Sequence, residues 1–248
     1  MLLFDTIAYS NRLRRRHPME KVLFSIGLLA ACLLLPPWPA CGLVWLTTSL
    51  AAVFVARIPP RALLKATLLP VAFLATGAIP LVLSLRLGGA GGPRLAVGDG
   101  GVAAALIASL RAMGAQSCLL FLGMTTPVPE LILLARSWRV PAALVETSLV
   151  VYNMLCVLLV ACREMLVAQG ARLGYSSTRN AYRSQSMLWS CLFLKSLSRA
   201  RRLEVGLASR GYQGDLRVVS GSSPPSVTGL LAAAGAVAAV AVLSVLLA

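Results

Sequence analysis

At 248 residues, 58% hydrophobic and 12% charged, with a mean hydropathy of +0.82, the chain is not a soluble domain, since globular sequences run about a quarter charged and about half apolar. Its 23 Lys and Arg against 8 Asp and Glu give a net charge of +15, but the basic residues lie mostly between apolar runs, which excludes a disordered basic tail and argues against a nucleic-acid-binding domain. The single histidine, His17, removes most histidine-based metal sites and catalytic schemes, and the six cysteines (Cys32, Cys41, Cys118, Cys156, Cys162, Cys191) sit in apolar stretches without a CxxC pair, as small membrane-buried hydrophobes do.

The chain opens with a short apolar stretch, Met1 to Phe4, and turns basic through Ser10 to His17. A secretory signal carries its charges before the apolar stretch and a small-residue cleavage site after it; neither order nor site is present. The first twenty residues therefore read as a cytoplasmic segment, with Arg12, Arg14, Arg15 and Arg16 either fixing topology or meeting anionic lipid. Val22–Leu35 and Cys41–Ala56 form a hairpin of two apolar runs around Pro36-Pro37-Trp38-Pro39, both short for a crossing. Leu63–Leu85 is a third run, with Pro70, Gly77 and Pro80 expected to bend it, and a Gly-rich loop follows over Gly88 to Gly101. Val102–Met124 is a fourth, interrupted by Arg111, which either makes a polar contact in the bundle or with another subunit, or snorkels to an interface. Thr228–Ala248, after a flexible linker at Ser220 to Pro225, is the last and cleanest.

Val140–Cys162 is also apolar, although Glu146 and Asn153 break it. If it crossed, the basic stretch 163–217 would lie outside, against the positive-inside bias. It is therefore expected to pack along the bundle and continue as a helix into the cytoplasm. The architecture expected is all-α: about five transmembrane helices with the N-terminus cytoplasmic, and a cytoplasmic helical coupling module, divided as 1–139, 140–219 and 220–248. Glu146 is expected to pair with Arg136 or Arg139.

Two stretches in that module echo each other. Ala168 to Tyr175 and Leu207 to Tyr212 each follow a helix-forming run, and each carries small residues, an arginine, then glycine and tyrosine. Glycine just past the last periodic residue marks a helix end, so Arg172 and Arg210 are expected on terminal turns, where the helix dipole favours a cation. Either these are simply good C-terminal residues, or they are two similar docking ends for a dimeric partner.

The second account gains weight from a resemblance spanning nearly the whole chain. Asp5-x-x-Ala8-Tyr9-Ser10, His17-Pro18-x-x-Lys21, Thr125-Thr126-Pro127-x-Pro129-Glu130, Arg139-Val140-Pro141 leading to Val150-Val151-Tyr152, Ala171-Arg172-Leu173-Gly174-Tyr175 and the run Arg210 to Leu216 together resemble the transmembrane T component of energy-coupling factor transporters, and within it the cobalt branch, the CbiQ proteins. The resemblance implies a multi-pass protein of the bacterial cytoplasmic membrane with no catalysis of its own. It implies two ABC ATPase subunits that carry ATP and Mg, a membrane S component that captures Co²⁺, and a small accessory membrane subunit as a further partner. The family's two Ala-Arg-Gly docking signatures fall on Ala171-Arg172-Leu173 and Ser209-Arg210-Gly211, with leucine replacing the first glycine and serine the second alanine. Two alternatives remain: a T component serving vitamin-binding subunits, and an integral-membrane lipid-modifying enzyme, for which only Glu130, Glu146 and Glu164 offer acid–base groups. The chain has no GxxxxGK[ST] phosphate loop, and His17 alone cannot hold cobalt, so the resemblance places nucleotide and metal on partner subunits.

Overall fold

The computed structural model describes residues 3–86, 94–97, 101–212 and 226–247. Among these residues, nine α-helices carry the fold: α1 (Leu3–Ser10), α2 (Pro18–Leu34), α3 (Pro37–Leu50), α4 (Pro60–Val82), α5 (Gly101–Thr125), α6 (Val128–Ser137), α7 (Ala142–Ala171), α8 (Thr178–Ala208) and α9 (Val227–Leu246). A short antiparallel ribbon interrupts the all-α plan between α4 and α5, with β1 (Leu83–Arg86) opposite β2 (Arg94–Val97). The tip of the expected Gly-rich loop and the expected linker at Ser220 to Pro225 lie outside the described residues.

The chain divides into two compact units, residues 129–220 in one and residues 3–128 with 221–248 in the other. In the larger unit α3 and α4 pack on α5, and α2 packs on both α5 and α9. Its core is made where small and branched residues meet: Leu28 and Cys32 of α2, Cys41 and Val44 of α3, Cys118 of α5 and Val240 of α9 are all buried together. A second cluster gathers Ala52, Ala56 and Ile58 against Phe121 and Met124, with Phe24 and Phe121 packed at 5.3 Å between ring centroids. Cys32 and Cys41, nine residues apart, place their sulfurs 3.3 Å from each other as free thiols. The outward face of α4 stays apolar and uncovered, with Leu69 and Phe73 largely exposed, as a lipid-facing helix requires.

Among the described residues, five helices are long and apolar enough to span a membrane: Pro37–Val55, Pro60–Ile79, Gly101–Thr125, Ala142–Ala171 and Val227–Leu246. The protein is a multi-pass, all-helical membrane protein. The set is not the one the apolar runs suggest. Helix α2 has 17 residues, about 25 Å at 1.5 Å per residue, whereas the run expected to stop short of a crossing is part of the 30-residue α7. Pro70, Gly77 and Pro80 are all accommodated inside one continuous α4.

Polar groups at the start of α2 fix where two other helices end. His17 caps α2 by accepting from the Met19 amide at 3.2 Å, with Pro18 at the first helical position. One turn on, Lys21 is buried and its Nζ donates to the Thr125 carbonyl at 3.1 Å. Asn11 Nδ2 donates to the Met124 carbonyl at 2.8 Å. These two side chains satisfy the last turn of α5, whose own continuation is stopped by Pro127. Glu20, also buried, accepts from the Ser226 amide at 3.2 Å and the Ser226 hydroxyl at 2.8 Å, and Ser226 in turn caps α9 through the Gly229 amide. The motifs His17-Pro18-x-x-Lys21 and Thr125-Thr126-Pro127 thus meet in space.

Replacing Lys21 with Met keeps the apolar stem and removes the charged donor. We expect Lys21→Met to lower unfolding free energy by about 1.5–3 kcal/mol, the usual worth of a hydrogen bond to a charged group; denaturation in detergent micelles measures it, and a change below about 0.5 kcal/mol would show that the contact contributes little.

Candidate functional site

The second unit is built on α7 and α8. Gln169, near the end of α7, donates through Nε2 to the Ser184 carbonyl near the start of α8 at 2.9 Å. Tyr212, just past the end of α8, donates its hydroxyl to Glu146 Oε2 near the start of α7 at 2.8 Å. Contacts at both ends with the chain order reversed make α7 and α8 an antiparallel hairpin. Few of its residues are buried: Val145, Glu146 and Ala161 in α7, and Leu188 in α8. Glu146 therefore meets Tyr212 rather than a neighbouring arginine of its own segment; its second oxygen, Oε1, has no hydrogen-bond partner. Together they line a cleft of about 840 Å³ whose walls are mainly apolar, including Val150, Met154, Leu203 and Leu207.

Both predicted triplets sit where a helix stops. Ala171 is the last residue of α7 and Arg172 follows it; Ser209, Arg210 and Gly211 follow the last residue of α8. The two ends close with the same pair of hydrogen bonds. After Arg172, the Leu173 amide bonds the Gly170 carbonyl at 3.1 Å and the Gly174 amide bonds the Gln169 carbonyl at 2.8 Å; after Arg210, the Gly211 amide bonds the Ala208 carbonyl at 3.1 Å and the Tyr212 amide bonds the Leu207 carbonyl at 3.1 Å. This is the Schellman closure, which turns the chain through one left-handed residue. Helix α6 closes similarly around Arg139, at φ 62°, but carries Trp138 at the place that arginine holds in the other two.

The left-handed residue differs between the ends. It is Gly211 after α8, at φ +71°, but Leu173 after α7, at φ +59°. The glycine that the sequence suggested as the α7 terminator, Gly174, lies one position later and serves another need: a Cβ there would come 2.7 Å from Ser184 Oγ and 2.9 Å from the Gln169 carbonyl oxygen. Leucine in that conformation costs about 1–2 kcal/mol. The surrounding bonds hold it: Ser184 Oγ donates to the Gly174 carbonyl at 2.9 Å and Tyr175 donates to Gln169 Oε1 at 2.8 Å, while Ser177 caps α8. Gln169, Ser184 and Glu146 carry no spacing signal in the sequence, since each acts across two helices.

Arg172 and Arg210 are both exposed, and neither guanidinium makes a hydrogen bond or ion pair among the described residues. Each lies beside helix-terminal carbonyls, where positive charge is favoured. Because one triplet ends α7 and the other ends α8, they occupy opposite ends of the hairpin. The 31 residues of α8 separate them by about 45 Å along its axis. Among the described residues, no three His, Cys, Asp or Glu converge as a metal site. Arg111 sits inside α5 with its Nε buried and unpartnered.

The pattern that defines CbiQ, described as cobalt transport protein, matches residues 10–219, both triplets included. The chain belongs to this family. It is 39% identical, over 92% of its own length and 92% of the relative's, to a cobalt transport protein CbiQ of Rhodobacter capsulatus. It is 29% identical to a CbiQ of Salmonella typhimurium, over 86% of this chain and 98% of that one. A protein of Methanocorpusculum labreanum, named as a fused cobalt transport protein CbiMQ, is 26% identical over 86% of this chain, which spans 37% of the fusion. Family membership makes the chain a membrane transporter component that works with other subunits. The family match ends before α9.

Two substitutions one residue apart should act in opposite directions. Gly174→Ala drives a methyl group into the Gln169 carbonyl and should destabilise the α7 end by about 1–3 kcal/mol, seen as faster amide hydrogen exchange over residues 169–176. Leu173→Gly relieves the left-handed leucine and should leave the turn at least as stable, by up to about 1 kcal/mol.

Proposed function

We propose that this chain is the T component of an energy-coupling factor cobalt importer. It links two ATP-hydrolysing subunits on the cytoplasmic side to a separate membrane subunit that captures Co²⁺. The observation that carries the reading is the pair of equivalent, exposed, arginine-bearing helix ends at the two ends of one hairpin. Two tips alike in backbone closure and in their arginine suit a partner with two similar grooves, which is what a dimer presents. A guanidinium held at a helix end, with small residues beside it, is the form of group that anchors in an acidic groove.

The same geometry bears on how α7 and α8 lie. Both tips can reach the cytoplasmic side only if the hairpin lies along the membrane surface, because an upright hairpin would set tips about 45 Å apart on opposite faces of a core about 30 Å thick. The six basic residues of α8, Arg179, Arg183, Lys195, Arg199, Arg201 and Arg202, favour that placement, as does the positive-inside bias. Helix α7 then lies with its apolar length along the lipid interface instead of crossing. The N-terminus is cytoplasmic in this arrangement, and the membrane is the bacterial cytoplasmic one.

ATP and Mg belong to the ATPases and Co²⁺ to the capture subunit; this chain supplies the mechanical connection and has no catalytic step. The fused CbiMQ relative supports a role beside a further transport unit, since its name joins CbiQ to another part. Cobalt, rather than a vitamin, as cargo rests on the names of the relatives.

Arg172→Ala and Arg210→Ala should each weaken retention of the ATPase subunits by about 2–5 kcal/mol if the guanidinium is desolvated at the interface, and the double substitution should abolish both co-purification and Co²⁺ uptake. Wild-type assembly in the double variant would end the proposal. Placement of the hairpin is tested separately: with all six native cysteines replaced by Ser, a single thiol at Ser198→Cys should resist a membrane-impermeant maleimide in intact cells and react in inverted vesicles.

A further inference from the structure

Leu173 is 73% exposed, and it occupies the left-handed position that Gly211 fills at the other end of the hairpin. An apolar side chain in that conformation serves neither the turn, which glycine makes more easily, nor the packing of the hairpin, since most of its surface meets no other residue. Strain of this kind persists where the surroundings over-determine it, and it points toward function. The surroundings here are the Gln169, Ser184 and Tyr175 hydrogen bonds that fix the exit from α7.

We infer that Leu173 is a specificity-determining contact, a rigid apolar knob that enters a socket beside the acidic site receiving Arg172. The inference rests on the docking reading of the two tips and adds the chemistry of the groove that the α7 tip selects: acidic for the guanidinium, with an apolar recess one residue away. Arginine is among the residues that anchor interface hot spots, and neighbouring contacts that exclude water support such an anchor. Holding the knob in one orientation before contact lowers the ordering cost of binding.

Among the described residues, the α8 tip presents no aliphatic counterpart. Gly211 has no side chain, and Tyr212, which follows it, is tied through its hydroxyl to Glu146. Among the described residues the two tips therefore share a backbone and an arginine but offer different side chains at the left-handed position: an isobutyl group at the α7 end and glycine at the α8 end. A partner built to receive the α7 tip gains from the leucine, and a groove lacking the recess is rejected by it.

The experiment uses the full-length chain in detergent or nanodiscs with the ATP-hydrolysing subunit that co-purifies with it, and reads both equilibrium affinity for that subunit and the melting temperature of the chain. Leu173→Gly and Leu173→Ala should weaken capture about tenfold, the loss expected when one buried leucine side chain is removed from an interface. Leu173→Met, of similar volume, should stay near wild type. The glycine variant should melt no lower than wild type, so its loss of affinity is not a loss of folding. If Leu173→Gly captures the ATPase with wild-type affinity while Arg172→Ala does not, the leucine inference is overturned and the docking reading stands. If Arg172→Ala also binds as wild type, both are overturned.

Discussion

Two adjacent side chains of opposite charge, Glu20 and Lys21, each meet a helix terminus of the opposite polarity. The carboxylate faces the amide end of α9 through Ser226, and the ammonium faces the carbonyl end of α5 at Thr125. Peptide dipoles place partial positive charge at the first of these ends and partial negative charge at the second. A buried charge is tolerable only where something fixed replaces the water it has lost; here backbone groups do so together with the Ser226 hydroxyl and with Arg16, 3.7 Å from the Glu20 carboxylate. With α2 holding the start of one helix and the finish of another, the order of packing in the membrane unit follows: α9 lies along α2, α5 lies between α2 and α3, and α4 closes on α5.

The α7–α8 hairpin is organised on a different principle. It buries few residues along its length and is secured near its ends, by Gln169 with Ser184 and by Tyr212 with Glu146. Its long apolar and aromatic surfaces, such as Trp189 and Phe193, stay open. A body of this kind contributes little to its own stability and much to contact with others. The proposed coupling role and the sparse interior therefore belong together: a transmission element must be stiff along its axis and available along its faces.

What the sequence disclosed depended on the range of the interaction. Apolar runs, proline stops and arginines near helix ends are local features, and they were legible: the helical class, the family and the position of Arg172 and Arg210 on terminal turns all follow from neighbours a few residues apart. Where helices end was less legible, because a helix continues past its apolar stretch whenever polar residues such as Arg163 and Glu164 still favour it, and α7 runs on to Ala171. Gly174 misled in an instructive way. Glycine signals either left-handed backbone or close approach, and the pattern alone does not distinguish these, so the leucine one step earlier passed unnoticed as the residue that turns the chain. The partner of Glu146 lies 66 positions away and the partner of Lys21 lies 104 away, and no local spacing encodes either. The β1–β2 ribbon was likewise hidden within a glycine-rich stretch that reads as loop.

Fastening the hairpin near both ends makes helical phase a quantity that α7 and α8 hold jointly. One residue inserted into α8 would swing Arg210 about 100° around the axis and push it out by 1.5 Å relative to Arg172, while dragging Tyr212 from Glu146. Only changes that add whole turns to both helices together would keep the guanidinium groups aimed alike. The chain thus carries a built-in gauge, and the gap between the partner sites it can bridge is set by the number of turns, not by the flexibility of the material between them.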